Sequence, residues 1–128
     1  MWIEPEVFEP VADTLARLGY EPFSSPGDRH GSWQWSFYRE FGGLSRFVIL
    51  AATPTESGKT LQVELWIGAE ADHRFTRYRV ESLRWDAGKL PQKARTLIPS
   101  VEQAVARANA LRWSDLAAEP QALSRKAV

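Results

Sequence analysis

Residues 61 to 67, Leu61-Gln62-Val63-Glu64-Leu65-Trp66-Ile67, carry an aliphatic side chain at every second position and a polar or aromatic one between. Side chains of an extended chain alternate between two faces, so Leu61, Val63, Leu65 and Ile67 form one buried face of a strand. Gln62, Glu64 and Trp66 form the other. Trp66 among polar neighbours has two readings: an exposed aromatic of the kind that anchors interfaces, or a residue covered by the C-terminal helix or the last segment.

Working outward, Leu44 to Ala52 is apolar on both faces from Phe47 onward, the pattern of a central strand. Trp33, Trp35 and Phe37 alternate with Gln34, Ser36 and Tyr38, which predicts a strand with an aromatic face. Glu40-Phe41-Gly42-Gly43 is a tight connection between these two, and Thr53 to Thr60 a polar one before Leu61. After a turn at Glu70-Ala71-Asp72, His73 to Val80 is rich in β-branched, aromatic and arginine residues and forms a fourth strand. Connections this short favour an antiparallel meander of four strands. Glu21 to Ser32 holds two prolines and two glycines and reads as a long loop. Leu83 to Lys89 fits neither period, and Pro91 and Pro99 limit any helix between them.

Two helices flank the meander. From Pro5 to Leu18, the residues Val7, Phe8, Val11, Leu15 and Leu18 recur at helical spacing, with Glu6, Glu9, Asp13 and Arg17 opposite. Pro10 has no N–H to give the Glu6 carbonyl, so the helix kinks there or its regular turns begin at Pro10. Gly19 supplies a left-handed terminus and Tyr20 folds back as its apolar partner. At the other end, Ser100 and Gln103 have capping-box spacing, and Val101, Ala104, Val105, Ala108 and Leu111 predict a helix from about Val101 to Trp113. Ser114-Asp115 is placed to cap a further turn. The expected fold is α+β: two layers, with the N-terminal and C-terminal helices on one face of a four-stranded antiparallel sheet.

Composition bounds the rest. A chain of 128 residues forms one domain, with 119–128 expected as a frayed tail. There are no cysteines, which excludes disulfides and cysteine-ligated metal sites. The sequence opens without the pattern of a signal peptide and has no run of about 18 apolar residues, so a cytoplasmic protein without membrane partners is expected. Net charge is zero but uneven. Residues 1–28 carry six acids against one arginine, and residues 73–95 carry seven bases against two acids. The two segments make two poles or neutralise each other once folded.

Signatures of chemistry are weak. Gly58-Lys59-Thr60 resembles the close of a phosphate-binding loop, but Thr53 stands where that motif needs glycine, and a strand follows where it needs a helix. A hairpin turn is the better reading. His30 and His73 are the side chains that titrate near neutrality, yet Asp28 and Asp72 beside them give no ligand or catalytic spacing. A small enzyme using either histidine remains an alternative. No catalytic residue, metal ligand or cofactor-binding residue is assigned. Arg74, Arg77, Arg79 and Arg84, interleaved with Phe75, Tyr78 and Trp85, offer a further alternative, a platform for single-stranded nucleic acid. Zero net charge weighs against nucleic acid as a partner.

The order of elements, a helix ending Leu18-Gly19-Tyr20, a meander, then a C-terminal helix, resembles small bacterial immunity proteins that neutralise a toxin. That resemblance implies a cytoplasmic, non-catalytic binder whose partner is a cognate toxin domain, with no cofactor. An acidic stripe would suit the basic cleft of a nuclease toxin. The residues expected to contact such a partner are Glu6, Glu9, Asp13, Glu64 and Trp66. The sequence leaves the oligomeric state open.

Overall fold

The computed structural model describes residues 2–116. After a 3-10 turn at Pro5–Phe8, the chain forms α1 (Glu9–Arg17), β1 (Glu21–Pro22), β2 (Gly27–Arg29), β3 (Ser32–Phe41) and β4 (Leu44–Pro54). It continues through β5 (Thr60–Ala71), β6 (Arg74–Asp86), the one-turn helix α2 (Leu90–Lys93) and α3 (Ile98–Asn109), and ends in a 3-10 turn at Trp113–Asp115. All pairings are antiparallel, in the order β1-β3-β4-β5-β6, and β2 also pairs with β3.

The protein is therefore α+β with an antiparallel sheet, as the alternating patterns require, but the sheet has six strands and not four. The segment expected as a loop from Glu21 to Ser32 contributes two short ones. Pro22, Pro26 and Gly27 keep them brief, and they satisfy the outer edge of β3 through Glu21–Tyr38, Pro22–Phe37 and Gly27–Gln34 pairs. β6 likewise runs six residues beyond Val80, through the stretch whose periodicity was ambiguous, because a bulge interrupts its alternation.

Three hairpins turn on two residues with positive φ: His30-Gly31 (50°, 84°), Gly42-Gly43 (62°, 80°) and Asp72-His73 (49°, 64°). Such turns match the right-handed twist of the strands they join. Both histidines are thus exposed tip residues held by the turn. The Thr55–Lys59 connection is the expected hairpin, closed by a 3.0 Å bond from the Thr55 N–H to the Thr60 carbonyl, with β5 following.

The core draws on residues of the sheet and of both helical segments. Leu61, Val63, Leu65, Ile67, Val48, Leu50, Trp33 and Phe37 are buried there against Phe8, Val11 and Leu15 from the N-terminal segment and Val101, Ala104, Val105 and Ala108 from α3. Phe8 stacks on Trp33 with ring centroids 5.5 Å apart. Pro10 sits in the first turn of α1, where its missing N–H costs nothing, so regular turns begin at Glu9. The helix ends as expected: the Tyr20 N–H donates to Leu15 O at 2.8 Å and the Gly19 N–H to Ala16 O at 3.0 Å. α3 starts three residues earlier than its capping signal suggested. Pro99 lies in its first turn, and the Ser100 hydroxyl donates to Glu81 Oε1 at 3.1 Å instead of capping. It also ends earlier, and Trp113 belongs to the following 3-10 turn, where Asp115 Oδ2 accepts the Arg112 N–H at 2.7 Å. The tail expected to fray lies outside the described residues.

One end of the core is polar. Arg46, buried on the helix side of β4, donates to Ala108 O at 3.0 Å, Leu111 O at 2.7 Å and Phe41 O at 2.6 Å. Burial lowers its pKa, opposed by Tyr20 and assisted by Arg39. Next to it the Tyr20 hydroxyl donates to Asn109 Oδ1 at 2.7 Å. Burial pushes Tyr20 up from 10.0 to about 12, against the pull of Arg46 and Arg39. The unfolded chain thus gives up the Tyr20 proton near pH 10 while the folded chain holds it to about 12. The contribution of Tyr20 to stability is full below pH 10 and falls by up to about 2–3 kcal/mol as pH rises through that window. Tyr20→Phe should cost about 1 kcal/mol at neutral pH and flatten this alkaline fall. Denaturant midpoints measured between pH 8 and pH 12, on roughly this linkage range, check it, and an unchanged slope in the variant contradicts it.

Candidate protein-binding surface

On the face of the sheet away from the core, Phe47, Ile49, Glu64, Trp66, Gly68, Glu70, Phe75, Arg77 and Arg79 alternate with the buried set of their strands. Register aligns Phe47, Gly68 and Arg77 across β4, β5 and β6, and Ile49, Trp66 and Arg79 beside them. Trp66 is half-buried, with the Arg77 guanidinium carbon 4.7 Å and that of Arg79 6.0 Å from its ring centroid. Its Nε1–H donates to Glu64 Oε1 at 3.2 Å, and Glu64 Oε2 accepts from Arg79 Nη1 at 2.9 Å. Trp66 is therefore held in place by arginines and a carboxylate, on the face opposite the helices.

The bulge arranges this face. Leu65 pairs with Glu81 but Trp66 with Arg79, so Val80 is an extra residue in β6. It shifts the alternation by one. Arg77 and Arg79 consequently share a face with Arg84, an odd number of positions away, which a strict period of two forbids. Arg74 and Tyr78 fall on the helix side, and the Arg74 guanidinium lies 5.2 Å from the Trp113 ring. The arginine and aromatic residues of 74–84 are thus divided between two faces and do not make one platform.

Beside Trp66 is a groove of about 260 Å3 whose lining includes Phe23, Ser36, Phe47, Ile49, Gly68, Glu70, Phe75 and Arg77. Phe23, 60% exposed, meets Phe47 and Tyr38 edge to face with centroids 5.4 and 5.5 Å apart, and its N–H donates to Ser36 O at 2.8 Å. Gly68 opens the groove: a Cβ there would come within 2.9 Å of the Thr76 carbonyl oxygen. A glycine inside a strand pattern marks a bulge or a close backbone approach, the signal by which this position could be found from sequence. Phe23, in a proline- and serine-rich loop, carried no such signal.

The five residues expected to contact a partner separate into two groups. Glu64 and Trp66 lie on this open face. Glu6, Glu9 and Asp13 lie on the outer side of the N-terminal helical segment, where with Arg17 and Arg95 they line a cleft of about 470 Å3. Arg17 Nη2 donates to the Thr14 hydroxyl at 3.1 Å, which in turn donates to Pro10 O at 2.9 Å. Arg95 brings one base from the basic segment to this acidic cleft; Arg77, Arg79 and Arg84 remain on the far face. Among the described residues there is no group of three or more His, Asp or Glu side chains able to hold a metal ion, and no helix long and apolar enough to cross a membrane.

No family model, no curated protein and no solved structure matches the chain.

The Glu64–Arg79 pair is partly exposed, at 17% and 53% of the two side chains. Its role is then to orient Trp66 more than to stabilise the fold. A double-mutant cycle with Glu64→Ala and Arg79→Ala, followed by denaturation, should give a coupling of about 0.2–1 kcal/mol that shrinks in high salt. A salt-independent coupling above about 2 kcal/mol contradicts that role.

Proposed function

We propose that the chain is a non-catalytic protein-binding module, of the kind represented by immunity proteins that occlude a toxin domain, and that it holds its partner on the open face of the sheet. The reading takes the architecture as two-layered, with helices on one face and a partner on the other. The observation that carries it is Trp66, half-buried and fixed between Arg77, Arg79 and Glu64 on the sheet face away from the core. Tryptophan and arginine are the residue types on which interface energies concentrate, and an anchor already held in one orientation has little rotamer freedom left to lose on binding. Charges around an apolar centre supply the polar rim.

A second reading is favoured by the clustering of Glu6, Glu9 and Asp13 along one cleft. It has the acidic side steer a basic partner, such as a nuclease domain, and predicts salt-sensitive association rates.

Tagged protein distinguishes the two when its partner is captured from the source cells and binding is measured with purified components. On the open-face reading, Trp66→Ala and Arg79→Glu should weaken binding about tenfold or more, while the triple reversal Glu6→Lys, Glu9→Lys, Asp13→Lys leaves the dissociation rate unchanged. Loss of association with the triple variant alone would move the site to the acidic cleft. Turnover of a small substrate by the free protein would end the reading altogether.

A further inference from the structure

Resting on the reading of the open face as a protein-binding surface, we infer that the groove over Gly68 is an anchor socket. It takes one aromatic or branched apolar side chain from a partner segment that also carries a carboxylate facing Arg77 and a cation facing Glu70. The argument starts from size. Small-molecule sites run to about 300–1,000 Å3 and enclose their ligand. This groove, at about 260 Å3 and open to solvent, has room for a side chain. Its walls are the rings of Phe23, Phe47 and Phe75 and the branched chain of Ile49, and Gly68 leaves the floor without a side chain.

Charge then selects the occupant. Arg77 pairs with Gly68 across the sheet, and Glu70 lies two residues along β5 on the same face. Neighbouring strands are about 4.8 Å apart and alternate residues of a strand about 6.6–6.8 Å apart, so one short segment reaches the socket and both charges. A uniformly anionic nucleic-acid strand would meet Arg77, Arg79 and Arg84 but also the Glu70 carboxylate and Glu64, which Arg79 already pairs. A polypeptide of mixed charge satisfies both signs, so the occupant is a protein.

The test selects a phage-displayed random peptide library on the intact protein, then measures the chosen peptides against three variants whose circular dichroism matches the wild type. Ser36→Phe fills the groove from a lining position outside the core, Arg77→Glu reverses its charge, and Trp66→Ala removes the neighbouring anchor. The socket predicts peptides with an apolar residue between an acid and a base, bound at least about tenfold more weakly by Ser36→Phe and by Arg77→Glu. Peptides that lose affinity for Trp66→Ala but bind Ser36→Phe normally would overturn the socket and leave the open-face reading standing. Peptides indifferent to all three variants, or no selected peptide, would overturn both. Binding of a polythymidine oligonucleotide at low salt, abolished by Arg77→Glu, would overturn the choice of a protein occupant.

Discussion

The buried guanidinium of Arg46 fixes how this molecule closes. A charged group removed from water is costly unless its donors are met, and Arg46 meets them with backbone carbonyls at the end of α3 and in the β3–β4 turn. The last carbonyls of a helix lack intrahelical partners and carry the negative end of its dipole. Arg46 adds donors to Ala108 O, which also accepts the Leu111 N–H at 3.1 Å, and to Leu111 O just past the helix, and the helix C-terminus supplies the charge complement that burial of arginine demands. The ring of Phe41, 3.7 Å from the guanidinium carbon, covers one face of the same group. Tyr20, bonded to Asn109, brings the end of α1 to the same point.

From that constraint the two faces of the sheet acquire different roles. α1 and α3 are tied at one end, and Phe8, Val101 and Val105 share the core with Leu65 and Ile67. The other side is left to residues that are neither a core nor an ordinary solvated surface: Trp66, Phe47, Phe75 and Phe23 among arginines and glutamates. The same β6 bulge that breaks the strand's alternation gathers Arg77, Arg79 and Arg84 on that side. A long edge strand lined with arginine also resists pairing with a second copy of itself.

Much of the fold was legible because period and turn chemistry are local. Leu61 to Ile67, Leu44 to Ala52, the Gly42-Gly43 turn and the Gly19-Tyr20 helix end each follow from neighbours in sequence. Features that depend on distant residues were not legible. The short strands at Glu21–Pro22 and Gly27–Arg29 exist only because β3 offers an edge. Ser100 was free to serve Glu81, across the fold, because Pro99 already opens the helix. Of the five expected contact residues, Glu6, Glu9 and Asp13 are exposed and Glu64 and Trp66 half-buried, and whether the acidic stripe and Trp66 share a face depends on the packing of segments distant in sequence. The groove was signalled only by Gly68, since its Phe23 wall comes from a loop.

The central claim of the proposed function is that one sheet face is sealed by helices and the other is open around Trp66. Hydroxyl-radical footprinting of the free protein, read by mass spectrometry residue by residue, tests it most directly. The account predicts ready oxidation of Phe23, Phe47, Trp66 and Phe75, with Phe8, Trp33, Phe37 and Leu65 protected. Protection of Phe47, Trp66 and Phe75 to the level of Trp33 would show that their face is covered, and would contradict it.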